Sequence, residues 1–114
     1  MTRIYKILPR QEWEAAQAKG QFEGSAVDLA DGFIHFSAAD QAVETARRYF
    51  AGQADLFVLV VDAESLGPAL KWEPSRGGAL FPHLFAILPC ALVVDARPAP
   101  LTDEGLPDLG DLIP

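Results

Sequence analysis

The chain has 114 residues, of which half are hydrophobic and 22% are charged, as is ordinary for a soluble globular protein with a single core. Its formal net charge of −7 leaves no surplus of lysine and arginine to displace counterions, which excludes bulk nucleic-acid binding as a main function. Without a signal-peptide core, a membrane-spanning apolar run or a second cysteine to pair with Cys90, the sequence predicts a cytoplasmic protein with no membrane partner.

The first half of the chain predicts one strand and two helices. A strand is predicted at residues 3–7 and a helix at residues 10–19, where alanine, glutamate and glutamine dominate and a glycine follows as a C-terminal cap. Residues 21–30 carry scattered apolar side chains without a clear period and are predicted to form a loop. Ser37 is predicted to cap a second helix that runs to Phe50, because the apolar positions from residue 39 onward recur with helical spacing.

The second half predicts strands only. Residues 56–61 form an unbroken apolar run, which is typical of a strand that is buried on both faces. Further strands are predicted at residues 69–73, 80–88 and 91–95. Helices followed by a block of strands indicate an α+β fold, in which we expect the strand at 56–61 to be central and the helix at 37–50 to pack across the sheet.

The composition changes at residue 97. Residues 97–114 hold four of the nine prolines, and four acids against one base. We therefore predict a single globular domain over residues 1–96 and a proline-rich, acidic C-terminal tail over residues 97–114. Four leucines of this tail could still drape over the core: Leu101, Leu106, Leu109 and Leu112.

The two histidines are the main candidates for a functional site. His35 and His83 each stand in a short strand-like run framed by aromatic residues. Burying an imidazole without a polar partner costs about 1–3 kcal/mol, and a shared, partly hydrated pocket would avoid that cost for both rings. Glu73 adds a carboxylate from a strand of alternating polarity. We expect both histidines to face one cleft with Glu73 on its wall, and we predict these three residues as catalytic.

Five further residues are predicted to bind the ligand: Tyr5, Lys6, Ser37, Trp72 and Phe81. Plainer interpretations exist as well: Ser37 as a helix cap, Glu73 as part of a solvated edge strand, and the histidines as core residues bonded to backbone carbonyls. No metal is predicted, because neither HxxxH nor CxxC spacing occurs. The GxSxG and GxxxxGK motifs are absent too.

Several motifs together resemble a known family, the bacterial and plant "domain of unknown function 952". They are Asp-Gly-Phe-Ile-His-Phe-Ser at 31–37, Ile-Tyr-Lys-Ile at 4–7, Trp-Glu at 72–73 and Phe-Pro-His-Leu at 81–84. The resemblance covers nearly the whole chain, from Ile4 to about Val94. The family's fold is similar to the ADP-ribosyltransferase fold, so the resemblance implies a small split or mixed β-sheet with a cleft for NAD.

The resemblance also implies roles for the candidate residues. Glu73 would stabilise the oxocarbenium-like state that forms when the nicotinamide–ribose bond breaks. His35 and Ser37 would hold ribose hydroxyls, and aromatic rings would sandwich the nicotinamide. His83 would orient the acceptor or act as an acid or base.

The leading hypothesis is therefore an enzyme that binds NAD or ADP-ribose and has ADP-ribosyltransferase-like chemistry, with NAD as the candidate cofactor and a small molecule as its partner. Two alternatives remain open. One is a non-catalytic small-ligand-binding or regulatory module with the same cleft. The other is a hydrolase or isomerase that uses His35 and His83 as an acid–base pair on a small metabolite.

Overall fold

Nine strands and three α-helices lie within residues 2–110, which the computed structural model describes with the exception of the Arg76 side chain. In chain order they are β1 (Arg3–Pro9), α1 (Arg10–Lys19), β2 (Gln21–Phe22), α2 (Ala26–Asp31), β3 (Ile34–His35), β4 (Ser37–Ala38), α3 (Ala42–Tyr49), β5 (Leu56–Asp62), β6 (Leu70–Pro74), β7 (Leu80–Leu84), β8 (Leu88–Pro89) and β9 (Val93–Ala99). Short 3₁₀ turns lie at Ala63–Ala69, Arg76–Gly78 and Cys90–Leu92.

A four-stranded antiparallel sheet in the order β4-β1-β5-β9 forms the centre of the fold. β1 and β5 pair along all seven residues of each strand. Val58 and Val60 of β5 are fully buried, as expected for an unbroken apolar strand with cover on both faces. The predicted central position of residues 56–61 is confirmed.

Each face of the central sheet is covered by its own layer. On one face, α1 and the smaller strands bury a cluster that includes Ile4 and Leu59. On the other face, Ala46 of α3 and Leu109 of the C-terminal segment pack with Val58. Side chains alternate between the two faces along each strand, so both clusters draw on β1 and β5. The prediction that the helix within residues 37–50 packs across the sheet is confirmed, since α3 (Ala42–Tyr49) packs there.

Two smaller sheets, β3-β7-β6 and β2-β8, extend from this centre. β3 and β4 belong to different sheets although Phe36 alone separates them in the chain. His35 pairs with β7, whereas Ser37 pairs with β1, so the two sheets separate beside this one residue. All strand pairings within residues 2–110 are antiparallel. The α+β class is confirmed, and the sheets are antiparallel rather than mixed.

A short helix and a strand occupy most of the segment predicted as a loop at 21–30. α2 begins after Ser25, whose backbone N–H donates to Asp28 Oδ2 at 2.8 Å and stabilises the first turn. Val27 and Leu29 are 57% and 66% exposed. Because its apolar residues face solvent, this helix lacks the amphipathic period by which sequence reasoning recognises helices.

Ser37 does not cap a helix, contrary to the prediction. It lies in β4 opposite Tyr5 of β1, and α3 begins only at Ala42. In the intervening turn, the Ala38 backbone N–H donates to the Gln41 side-chain oxygen at 2.9 Å. Pairing with a strand that is distant in sequence therefore outweighs the local helical pattern.

The C-terminal segment joins the fold. β9 continues to Ala99 in register with β5, so strand pairing crosses the boundary predicted between residues 96 and 97. Leu109 is buried, whereas Leu101 is 38% exposed and Leu106 is half-buried. Leu112 lies outside the described residues. No helix within residues 2–110 is long and apolar enough to cross a membrane.

Candidate functional site

A cavity of about 520 Å³ opens beside β1, where the central sheet and the β3-β7-β6 sheet separate. Residues of β1, α2, β3, β4, α3 and β7 line it. Its wall is largely apolar, with several polar side chains among the rings. Such a combination is typical of small-molecule sites, in which apolar walls bury the ligand and a few polar groups orient it.

His35 and His83 both line this cavity and lie directly opposite each other across the β3–β7 pair. Their ring centroids are 5.5 Å apart, and the ring planes meet at 68°. Phe33 packs against both: its ring stacks on His83 at 4.1 Å and tilts against His35 at 4.6 Å. The prediction that both imidazoles face one cleft is confirmed.

Glu73 orients the His83 ring from the neighbouring strand β6. Its Oε1 lies 2.9 Å from Nδ1 of His83. An ionised carboxylate only accepts hydrogen bonds, so His83 donates from Nδ1. No other side chain in the described part of the chain bonds to this ring, which leaves Nε2 for a ligand. Glu73 touches His83 behind the wall and does not itself line the cavity, so the prediction that placed Glu73 on the wall is wrong.

His35 has a carboxylate at each of its ring nitrogens. Asp28 Oδ1 lies 2.6 Å from Nδ1, and Asp31 Oδ2 lies 2.9 Å from Nε2. The backbone N–H of His35 also donates to Asp28, at 3.1 Å. The Asp31 side chain is 49% exposed, so this carboxylate faces both the ring and solvent.

Asp28 is the centre of the buried polar network. Its carboxylate accepts two hydrogen bonds from Lys6 Nζ, at 2.8 and 3.0 Å, besides those from His35 and Ser25. Burial alone would raise the pKa of this carboxyl. The hydrogen bond from His35 and the charge and hydrogen bonds of Lys6 outweigh burial and lower the pKa from 3.8 to about 2. Asp28 is therefore ionised at neutral pH.

The ammonium group of Lys6 forms an ion pair with Asp28. The Lys6 side chain is 6% exposed, and both described hydrogen bonds of its ammonium group go to that carboxylate. Burial lowers the pKa of Lys6, and Asp28 opposes the shift. Among the described residues, no three His, Cys, Asp or Glu side chains are arranged to hold a metal ion. The polar groups around Asp28 form a network of hydrogen bonds and ion pairs.

Four of the five residues predicted to bind a ligand line the cavity: Tyr5, Lys6, Ser37 and Phe81. Ser37 Oγ lies 2.9 Å from Thr45 Oγ1, which brings two hydroxyls together on the wall. Trp72 lies elsewhere. It precedes Glu73 in β6, and strand alternation turns it to the opposite face, where it is 40% exposed. The roles of these residues toward a ligand stay predictions.

The sequence did not predict the two aspartates that contact His35, nor α2, which lines one side of the cavity. Asp28 carried a local signal, because it stands three residues after Ser25 at a capping-box position. Thr45 carried one too, as a polar residue on the apolar face of the predicted helix. Asp31 stands at the start of the 31–37 motif, but its contact with His35 depends on the turn between α2 and β3.

Comparison with known proteins gives a family and a fold. The model of the family described as "Protein of unknown function (DUF952)" matches residues 7–96. The crystal structure of protein CC0527 from Caulobacter crescentus is 60% identical over 96% of each chain, with a TM-score of 0.94. The solution NMR structure of CC0527 has a TM-score of 0.87 and 60% identity, over 97% of this chain and 96% of that one. No match is found among curated proteins.

Proposed function

The chain belongs to the DUF952 family, and we propose that its cavity is the active site of an enzyme that performs general acid–base chemistry on a small metabolite. One observation carries the proposal: two imidazoles 5.5 Å apart line one cavity, and each is oriented by a carboxylate. Pairing with a carboxylate fixes the tautomer and the orientation of a histidine, which is what a group that transfers protons requires.

The two rings have different hydrogen-bond partners, and this difference assigns their roles. His83 donates from Nδ1 to Glu73, so its Nε2 lone pair is available to take up a proton, and His83 is the base. His35 can satisfy Asp28 and Asp31 together only when both ring nitrogens carry protons. His35 is therefore the acid, which delivers a proton or stabilises negative charge on the substrate.

Asp31 has to turn aside before His35 can act on a substrate. Its carboxylate occupies Nε2, the ring nitrogen of His35 that Asp28 does not hold. Asp31 lies at the end of α2 with half of its side chain exposed, so water can replace the lost bond at low cost. Asp28 is buried and stays in place, so the ring keeps its orientation during proton transfer.

An NAD- or ADP-ribose-binding enzyme with ADP-ribosyltransferase-like chemistry is a second candidate. The cavity lies where two sheets separate, which is the position of the cleft in a split sheet, and its aromatic wall suits a flat ring. Glu73 would have to stabilise the oxocarbenium-like state, yet it reaches the cavity only through His83. The acid–base proposal uses both histidine–carboxylate pairs and is preferred for that reason.

The test starts from a mixture, because the substrate is unidentified. Wild-type protein incubated with a bacterial metabolite extract should consume at least one compound and form a product that mass spectrometry detects. His83→Gln keeps a hydrogen-bonding side chain but cannot serve as the base, and should slow the reaction by about 10²-fold or more. Trp72→Leu, on the opposite face of β6, is the matched control and should react at the wild-type rate.

The same assay decides between the candidates. Conversion at equal rates by the wild type and His83→Gln contradicts the acid–base proposal. Release of nicotinamide from added NAD, lost in Glu73→Gln, would establish the second candidate instead. A compound that binds at the cavity in NMR titrations and is never converted would identify a non-catalytic module.

A further inference from the structure

We propose that the substrate of this site is a small α-hydroxycarbonyl compound, whose carbonyl group the two histidines move to the neighbouring carbon. The inference rests on the proposed function and names its substrate class and its reaction. Two features of the site support it: the short distance between the base and the acid, and the oxygen that Asp31 holds against His35.

The base and the acid are close enough to act on neighbouring atoms of one molecule. His35 and His83 are direct partners in the β3–β7 pair, and their ring centroids are 5.5 Å apart. Phe33 packs against both rings without lining the cavity, so it supports them from the side away from a ligand. Contacts of roughly 2.6–3.2 Å to each Nε2 then reach a carbonyl oxygen and the carbon next to it. A water molecule between base and substrate, as hydrolysis requires, would need about 3 Å more.

Asp31 occupies the position that we assign to the substrate oxygen. Its Oδ2 lies 2.9 Å from Nε2 of His35, on the wall of the cavity. Asp28 Oδ1 holds the other ring nitrogen at 2.6 Å, so the ring is already oriented toward this position. A carbonyl oxygen accepts a hydrogen bond there as a carboxylate oxygen does. The protonated ring then stabilises the negative charge that develops on the carbonyl oxygen when the neighbouring carbon loses a proton.

The reaction consists of two proton transfers in each direction. First, Nε2 of His83 takes a proton from the carbon that bears the hydroxyl group, the electron pair of that C–H bond forms a C=C bond, and the carbonyl oxygen takes the proton of His35 Nε2. The intermediate is an enediol. His35 then takes the proton of the original hydroxyl group, a carbonyl forms at that carbon, and His83 returns its proton to the neighbouring carbon.

The hydroxyl group of the substrate returns both rings to their starting states. A ketone without this group either reverts to itself or leaves His83 protonated and His35 neutral after it forms an enol. The rings would then need to exchange protons with water before the next turnover. His83 is 5% exposed, so a ligand in the cavity hinders this exchange. An α-hydroxycarbonyl compound completes the cycle without it.

Hydroxyacetone and dihydroxyacetone are the probes, and methoxyacetone, in which the hydroxyl group is capped, is the matched control. In heavy water the full chain should convert the two probes into lactaldehyde and glyceraldehyde, and should place deuterium on the hydroxymethyl carbon, as followed by proton NMR. Because the base lies on one side of the substrate, only one of the two hydrogens of that carbon should be replaced. Exchange into methoxyacetone should be at least about tenfold slower.

Variants test the base and the oxygen position separately. His83→Gln should slow exchange and isomerisation by about 10²-fold or more, and Trp72→Leu should leave both rates unchanged. Asp31→Ala removes the competitor for His35 Nε2 and should lower the KM of the probes several-fold. Asp103→Ala removes the same charge at an exposed turn and should leave KM unchanged.

The outcomes for this inference and for the proposed function are distinguishable. If neither probe exchanges, the substrate class is wrong, and the metabolite assay decides the acid–base proposal alone. Equal exchange into methoxyacetone, or replacement of both hydrogens, would overturn the proposed reaction. Equal rates for the wild type and His83→Gln would contradict both proposals. An unchanged or raised KM in Asp31→Ala would contradict the assigned position of the substrate oxygen.

Discussion

Asp28 joins the interior of the protein to its candidate site, because one carboxylate compensates the charge of Lys6 and orients the ring of His35. Removing one partner of a buried ion pair leaves the other charge uncompensated, which costs more than losing a surface contact. Asp28 is for this reason a structural residue and a positioning residue together. Substitutions there will affect stability and the site at once.

Asp28→Asn should lower the free energy of unfolding by about 3 kcal/mol, since the Lys6 ammonium then lies buried without a counter-charge. Urea unfolding followed by circular dichroism measures the loss. Lys6→Met added to Asp28→Asn should recover part of it, because the stranded charge is gone. A double variant that is less stable than Asp28→Asn would show that the ion pair is not the cause.

The Asp28 carboxyl makes the free energy of unfolding depend on pH. Its folded pKa of about 2 lies below the ordinary 3.8, so Asp28 contributes stability above pH 3.8, and this contribution is lost as the pH falls through 2. The contribution is on the order of 2 kcal/mol. Unfolding free energies measured from pH 5 down to pH 2 should fall more steeply for the wild type than for Asp28→Asn.

At the scale of elements, sequence reasoning succeeded where the signal is local. α1 (Arg10–Lys19) has the predicted bounds, and β5 is the predicted central strand, because helix-forming residues and an unbroken apolar run report directly on each. It missed α2, whose apolar residues face solvent, and it assigned Ser37 to a helix. Ser37 pairs with a strand that is distant in the chain, and α2 has a capping box but no apolar face, so neither leaves a periodic pattern.

α2 ends at Gly32, which has a φ of +86° and follows Asp31 directly. Gly32→Ala should cost about 1 kcal/mol of stability, because a residue with a Cβ is strained at a positive φ. No clash adds to this cost, since an added Cβ meets no atom within 4 Å. Gly20→Ala is a matched control, because Gly20 ends α1 with a φ of +85° and equally open space. Thermal unfolding should show similar losses for both variants, while NMR resonances of the His35 ring should shift only in Gly32→Ala. Equal shifts in both variants would contradict the expectation that the turn at Gly32 positions the His35 ring.

At the scale of the whole molecule, the sequence could nominate His35, His83 and Glu73 but could not place them. Their proximity depends on the register between β3 and β7 and between β7 and β6, which is set by long-range packing. Trp72 shows the limit most clearly. It stands next to Glu73 in the chain, yet it faces away from the site because neighbouring residues in a strand alternate.

The C-terminal segment should contribute measurably to global stability. Leu109 is 7% exposed and packs on the central sheet, so Leu109→Ala should cost about 2–3 kcal/mol in urea unfolding. Leu101 lies in the same segment at 38% exposure, and Leu101→Ala should cost less than about 1 kcal/mol. Equal, small losses for both would show that the segment acts as a solvated tail.

The passage from β3 to β4 limits how this protein can change in length during evolution. Phe36 alone links His35, in register with His83, to Ser37, in register with Tyr5. An insertion or deletion of one residue here would shift one of the two registers and turn His35 or Ser37 to the opposite face. Relatives that keep the site should therefore vary in length at exposed turns such as 51–55, and retain a single residue between these two strands.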